Sequence, residues 1–107
     1  MAVARFDVYL VSLDPTVGAE IRKTRPCLVV SPDQSNRTLR TVLVAPLTSG
    51  GRPYPTRVAC DFGGHHSMIA IDQMRAVDIR RLVRRLGTID EATADVVLRV
   101  LAATFAR

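Results

Sequence analysis

Three groups of polar residues in this 107-residue chain have types that support chemistry, and each adjoins an apolar run. Arg25 stands just before Pro26-Cys27-Leu28-Val29-Val30, Thr48-Ser49 follows Thr41 to Pro46, and Asp72-Gln73 follows Met68 to Ile71. Short apolar runs bounded by proline and glycine read as strands, so all three groups sit at strand ends. In a small barrel such ends converge on one rim. An arginine beside paired hydroxyls is a phosphate-binding arrangement, and a carboxylate added to it can accept a proton. Ordinary turn residues have the same types, and spacing alone favours that plainer reading.

Other chemistries find less support. His65 and His66 are adjacent, so on an extended strand they point to opposite faces and do not chelate one ion. They follow Gly63-Gly64 and read as solvated turn residues, although histidine as a residue type exchanges protons near neutral pH. Cys27 and Cys60 form no C-x-x-C pair, and each lies in an apolar run. Buried free thiols in a reducing compartment are expected, with no metal and no cofactor. No Walker loop, G-x-G-x-x-G or G-x-S-x-G occurs, so nucleotide hydrolysis and serine-hydrolase chemistry have no support.

The composition supplies a partner class. Fifteen basic residues against ten acidic ones leave a net charge of +5, and every basic residue except Lys23 is arginine. Arginine grips phosphate bidentately and stacks on bases, so a polyanion, nucleic acid first, is the expected partner. A charge that only keeps the chain soluble is the equal alternative on this ground alone. The charge gathers in Arg22, Lys23 and Arg25, and again in Arg75, Arg80, Arg81, Arg84 and Arg85 against Asp78 alone.

The elements that must position these residues are mainly β. Strands are predicted over Phe6 to Leu13, Cys27 to Ser31, Thr41 to Pro46, Arg57 to Cys60, Met68 to Ile71 and, more weakly, Leu82 to Ile89. The first is apolar on both faces and so is expected to be covered on both sides. Asp14 to Arg25 reads as a long loop, and loops of that length are usually functional. The period then changes. Asp90 is a predicted N-cap, and Val97, Val100, Leu101 and Phe105 share one face of a helix from about Glu91 to Phe105. Leu98 and Ala102 extend its apolar character, which suggests a second subunit. One domain over 1–107 is expected, with a β part at about 5–89 and a helix at about 91–105. No apolar run is long enough to span a bilayer and the first residues lack a signal-like core, so a cytoplasmic location without membrane contact is expected.

Asp7-Val8-Tyr9-Leu10-Val11, Asp14 to Glu20, Lys23 to Pro32, Val44 to Ser49, Asp72-Gln73-Met74-Arg75 and Leu86-Gly87-Thr88 together resemble, in order and spacing, the MazF/PemK/Kid toxins of bacterial toxin–antitoxin systems. The resemblance implies a small SH3-like β-barrel of the CcdB/MazF kind, closed by helices and working as a homodimer. It implies a metal-independent endoribonuclease that cuts single-stranded RNA by 2′-hydroxyl attack, leaving a 2′,3′-cyclic phosphate and a 5′-hydroxyl. Arg25 and Thr48 correspond to the family's central pair. Arg25 would stabilise the phosphorane and supply a proton, Thr48 would hold a phosphate oxygen, and Asp72 corresponds to the base proposed in some members. The RNA-contacting set expected beside them is Glu20, Arg22, Lys23, Ser49, Arg52, Tyr54, Gln73 and Arg75, with Tyr54 the best platform for a base. A small acidic antitoxin is the implied partner.

The sequence departs from the family at Phe6, where a glycine is usual, and at Ala19 and Ala70, where some members carry a histidine and an arginine. A mechanism that needs either missing group does not carry over, which leaves the general base open. A non-enzymatic gyrase poison on the same barrel is the competing function. It works through a terminal aromatic, whereas here Trp is absent and Phe105 falls within the apolar stripe. Only 5% aromatic residues argues against a passive single-strand binder.

Overall fold

A computed structural model describes residues 2–107. The order is β1 (Asp7–Ser12), β2 (Thr24–Val29), α1 (Asp33–Thr38), β3 (Thr41–Thr48), β4 (Arg57–Phe62), β5 (His65–Ala70), β6 (Arg75–Asp78), β7 (Leu82–Thr88) and α2 (Glu91–Phe105). Single 3-10 turns at Ile71–Gln73 and Ile79–Arg81 flank β6.

All seven strands join one antiparallel sheet in the order β4-β5-β3-β2-β1-β7, with β6 beside the first half of β3. β3 has different neighbours at its two ends: Thr41–Val44 pairs with β6, whereas Leu47 and Thr48 pair with β5. A strand shared in this way cannot lie in one plane, and the sheet curls into a half-barrel. Period-2 alternation then divides the apolar residues between two cores. Val8, Leu28, Ala45, Leu47, Val58 and Ile69 face α2, where Ala94 and Val97 close them over. Tyr9, Val11, Leu13, Cys27, Val29, Val42 and Val44 fill the inside of the curl with Val77 and Leu82. The first strand is therefore covered on both faces, as its sequence predicted.

Two elements were not legible. Segment α1 has no buried residue and thus no apolar stripe; Asn36 holds it to Ser31, donating from Nδ2 to the Ser31 carbonyl at 2.9 Å. Only Val77 of β6 is buried, so this strand exists through its pairing with Thr41–Val44. The reading of the first 89 residues as wholly β is corrected by α1. The histidines do not lie on the turn. Gly63 and Gly64, at φ 58 and 77, form a two-residue hairpin loop, and His65 already pairs with Phe62 as the first residue of β5.

The terminal helix follows its prediction at the start and departs from it at the end. Asp90 caps it by accepting from the Thr93 N–H at 2.8 Å. Val97 is fully buried and Val100 and Leu101 pack against the core, but Phe105 is 71% exposed, so the predicted apolar stripe is covered only as far as Leu101. Among the described residues no helix is long and apolar enough to cross a membrane.

Candidate functional site

Strand register brings the two central residues together. Cys27 pairs with Pro46 across β2 and β3, and Arg25 and Thr48 each lie two residues further along, so they reach the sheet's rim at one level and on one face. Thr48 pairs in turn with Met68 of β5. His66, two residues from Met68, returns to the same face, with Asp61 as its cross-strand partner. Beside them lies a cleft of about 360 Å³, lined by Arg25, Leu47, Ser49, Phe62, His65 and His66. Arg25 is half-buried, and its Nε donates to the Arg22 carbonyl at 3.0 Å, which leaves the rest of the guanidinium for a ligand.

The loop between β1 and β2 is closed at its base. The Leu13 N–H donates to the Lys23 carbonyl at 3.0 Å, and the Lys23 N–H to Asp14 Oδ1 at 3.1 Å. Lys23 takes φ 71, the left-handed region that turns the chain back into β2. Several expected RNA contacts hold this loop in shape. Glu20 accepts from the Val17 N–H, Gln73 accepts from the Ile21 N–H at 3.2 Å, and Arg75 donates to the Leu13 carbonyl at 3.0 Å. Arg22 and Lys23 remain exposed beside the cleft residue Arg25, and Arg52 is exposed on the loop after β3.

Asp72 is engaged elsewhere. Arg57 Nε and Nη2 donate to its two carboxylate oxygens at 2.6 and 2.9 Å, and Thr56 Oγ1 donates to Oδ1 at 3.1 Å. The hydrogen bond from Arg57 is the main cause holding the Asp72 carboxyl below its ordinary value. A carboxylate so held is a weaker proton acceptor. Asp72 does not line the Arg25 cleft. The Arg57 guanidinium also lies 5.5 Å from the centre of the Tyr54 ring, a cation–π contact that orients a half-exposed tyrosine.

Much of the second basic cluster is tied down. Arg80 pairs with Asp78, Arg85 with Asp7, and Arg81 Nη1 donates to the Ser12 and Asp14 carbonyls. Both cysteines are buried and free; burial pushes the Cys27 thiol up to about 12 and raises that of Cys60. Among the described residues no three His, Cys, Asp or Glu side chains form a ligand cluster.

Sequence reading missed Arg57, since nothing in the spacing pairs it with a residue fifteen positions away. It also passed over the Asp61–His66 pair, for which a signal existed: Gly63-Gly64 between apolar runs is a hairpin turn, and a two-residue turn sets His66 opposite Asp61.

Residues 4–105 match the family model of the PemK-like, MazF-like toxin of type II toxin–antitoxin systems. The endoribonuclease PemK of Escherichia coli is 39% identical over 100 residues, covering 88% of this chain and 75% of that one. MazF from Deinococcus radiodurans superposes with a TM-score of 0.85 at 23% identity, covering 97% of this chain and 96% of that one. A mycobacterial endoribonuclease in complex with its cognate antitoxin superposes with a TM-score of 0.81 at 26% identity, covering 95% and 93%.

Proposed function

Because the chain belongs to the PemK-like, MazF-like toxin family of type II toxin–antitoxin systems, we propose that it is an endoribonuclease toxin that cleaves single-stranded RNA without a metal ion. The observation that carries this reading is the placing of Arg25 and Thr48 at one level on neighbouring strands, beside a cleft edged by Ser49. The Arg25 guanidinium holds the non-bridging oxygens of the scissile phosphate, and Thr48 donates its hydroxyl to one of them. The 2′-oxygen forms a bond to phosphorus as the bond to the 5′-oxygen breaks, leaving a 2′,3′-cyclic phosphate and a 5′-hydroxyl. Positive donors fixed in place stabilise the extra charge of the phosphorane more than that of the ground state.

The remaining residues divide by task. Arg22, Lys23 and Arg52 engage flanking phosphates, and Tyr54 offers a ring face to a base. Glu20, Gln73 and Arg75 shape the β1–β2 loop from which RNA contacts are made. Asp72, already bound by three donors, anchors the segment after Tyr54 through Arg57. The working unit is a homodimer, supported by Leu98 and Phe105 exposed along α2. A small acidic antitoxin covers the basic rim and competes with RNA. The location is cytoplasmic.

The test is incubation of the purified chain with a defined single-stranded RNA in EDTA, with mapping of the new 5′ ends. Cleavage is expected at short recurring sequences and stops when the 2′-hydroxyl at the cut is replaced by hydrogen. Activity abolished by EDTA and restored by a divalent ion, or undiminished cleavage of the deoxy substrate, would refute the reading.

A further inference from the structure

One residue on the wall of the Arg25 cleft, His66, is paired with a carboxylate from outside it, and the reaction above uses neither. His66 lines the cleft, and its Nδ1 lies 3.0 Å from Asp61 Oδ1. The two residues face each other across the β4–β5 hairpin. At neutral pH an aspartate only accepts, so this hydrogen bond puts the imidazole proton on Nδ1 and leaves the lone pair on Nε2. His66 also shares a strand face with Thr48, offset by one pleat on the neighbouring strand. Diagonal neighbours of that kind are roughly 7–8 Å apart, which spans a phosphodiester held between them.

We infer that His66 is the general base of the cleavage reaction and that Asp61 is the residue that positions it. This rests on the ribonuclease reading and fills the role that Asp72, bound by Arg57, is poorly placed to fill. In the step, His66 Nε2 takes the proton of the 2′-hydroxyl as the 2′-oxygen bonds to phosphorus. The phosphorus–5′-oxygen bond breaks, and the departing oxygen is protonated by water. The imidazolium, next to Asp61, then returns its proton to solvent. Both residues are largely exposed in the free protein, with side chains 69% and 85% accessible, so bound RNA is what desolvates the pair.

The experiment compares the wild-type chain with His66→Ala, His66→Gln and Asp61→Asn. The probe is a short RNA carrying one site mapped on a long natural transcript, made with either oxygen or sulfur as the 5′ leaving atom. Glutamine keeps an N–H for Asp61 but accepts no proton. Both His66 variants should fold, bind the uncleavable 2′-deoxy RNA as tightly as the wild type, and lose about a hundredfold or more in single-turnover rate. The loss should be equal for both leaving atoms. Asp61→Asn should lower the rate with binding unchanged, and Asp61→Glu should restore it.

Wild-type cleavage matched by both His66 variants removes the pair while leaving the ribonuclease reading intact. Rescue of His66→Ala by the sulfur leaving atom identifies His66 as the acid and overturns its assignment as base. No cleavage by the wild-type chain removes the ribonuclease reading, and this assignment with it.

Discussion

Arg57 holds Asp72 in a fork, Nε to Oδ1 at 2.6 Å and Nη2 to Oδ2 at 2.9 Å, and so ties β4 to the 3-10 turn after β5. The contact joins an edge strand to the body of the sheet, and it positions the Tyr54 ring from the same guanidinium.

Asp72→Asn should therefore act first on stability. The Arg57 hydrogen bond lowers the folded-state pKa of Asp72 below its unfolded value. The stabilisation is then complete above the ordinary carboxylate range, about pH 4, and is lost as pH falls through the depressed folded value. With its exposure discounted, the fork contributes roughly 1 kcal/mol. Thermal melts from pH 7 to pH 2 should show a gap of a few degrees between wild type and variant that closes on acidification. A variant with unchanged melting and a hundredfold slower cleavage would return Asp72 to the chemistry.

Arg25→Ala should do the opposite, abolishing most activity in a folded protein. Arg25 is half-buried at a strand end, so its loss opens no core cavity. Removing one oriented donor to a phosphorane costs on the order of a hundredfold or more, and Thr48→Ala should cost as much or less. Single-turnover cleavage beside a melting curve separates the two effects. A folded Arg25→Ala protein at near-normal turnover would take Arg25 out of the site.

Gly87→Ala should destabilise the sheet. Gly87 has φ 157, and a Cβ there would lie 3.2 and 3.3 Å from two atoms of the Phe62 ring. The strained backbone and crowded ring together should cost about 1–2 kcal/mol, a drop of roughly 5–10 °C in Tm. In a Phe62→Ala background the ring's share disappears, so the same substitution should cost less there. Equal costs in both backgrounds would show that the ring yields freely.

Neither cysteine should react in the native state. Cys27 has no accessible surface, and burial holds its thiol up at about 12, so almost no thiolate forms at pH 8. A disulfide-exchange reagent should label neither thiol until denaturant is added, and then both. Rapid labelling of the native chain would contradict this burial.

The sequence alone determined what local chemistry and periodicity can carry. Alternation predicted a first strand buried on both faces, and helical spacing with Asp90 as cap located α2. Thr104 satisfies its hydroxyl locally, on the preceding turn of the same helix, by donating to the Val100 carbonyl at 2.7 Å. The unusual Phe6 was legible as a departure but not as a left-handed residue; its φ of 72 supplies the physical reason for a glycine there. What tertiary structure decided was which distant polar groups meet. Strand β6 exists because β3 offers it an edge, and Asp72 is occupied because β4 delivers Arg57 to it. His66 enters the Arg25 cleft because the Gly63-Gly64 hairpin folds back beside β3. Phe105 shares the helical spacing of Val97 and Leu101 yet stays outside the core, which spacing alone does not report. Periodicity reports which face of its own element a residue occupies. Only sheet order and register report what stands opposite, and a site assembled from several strand ends is defined by what stands opposite.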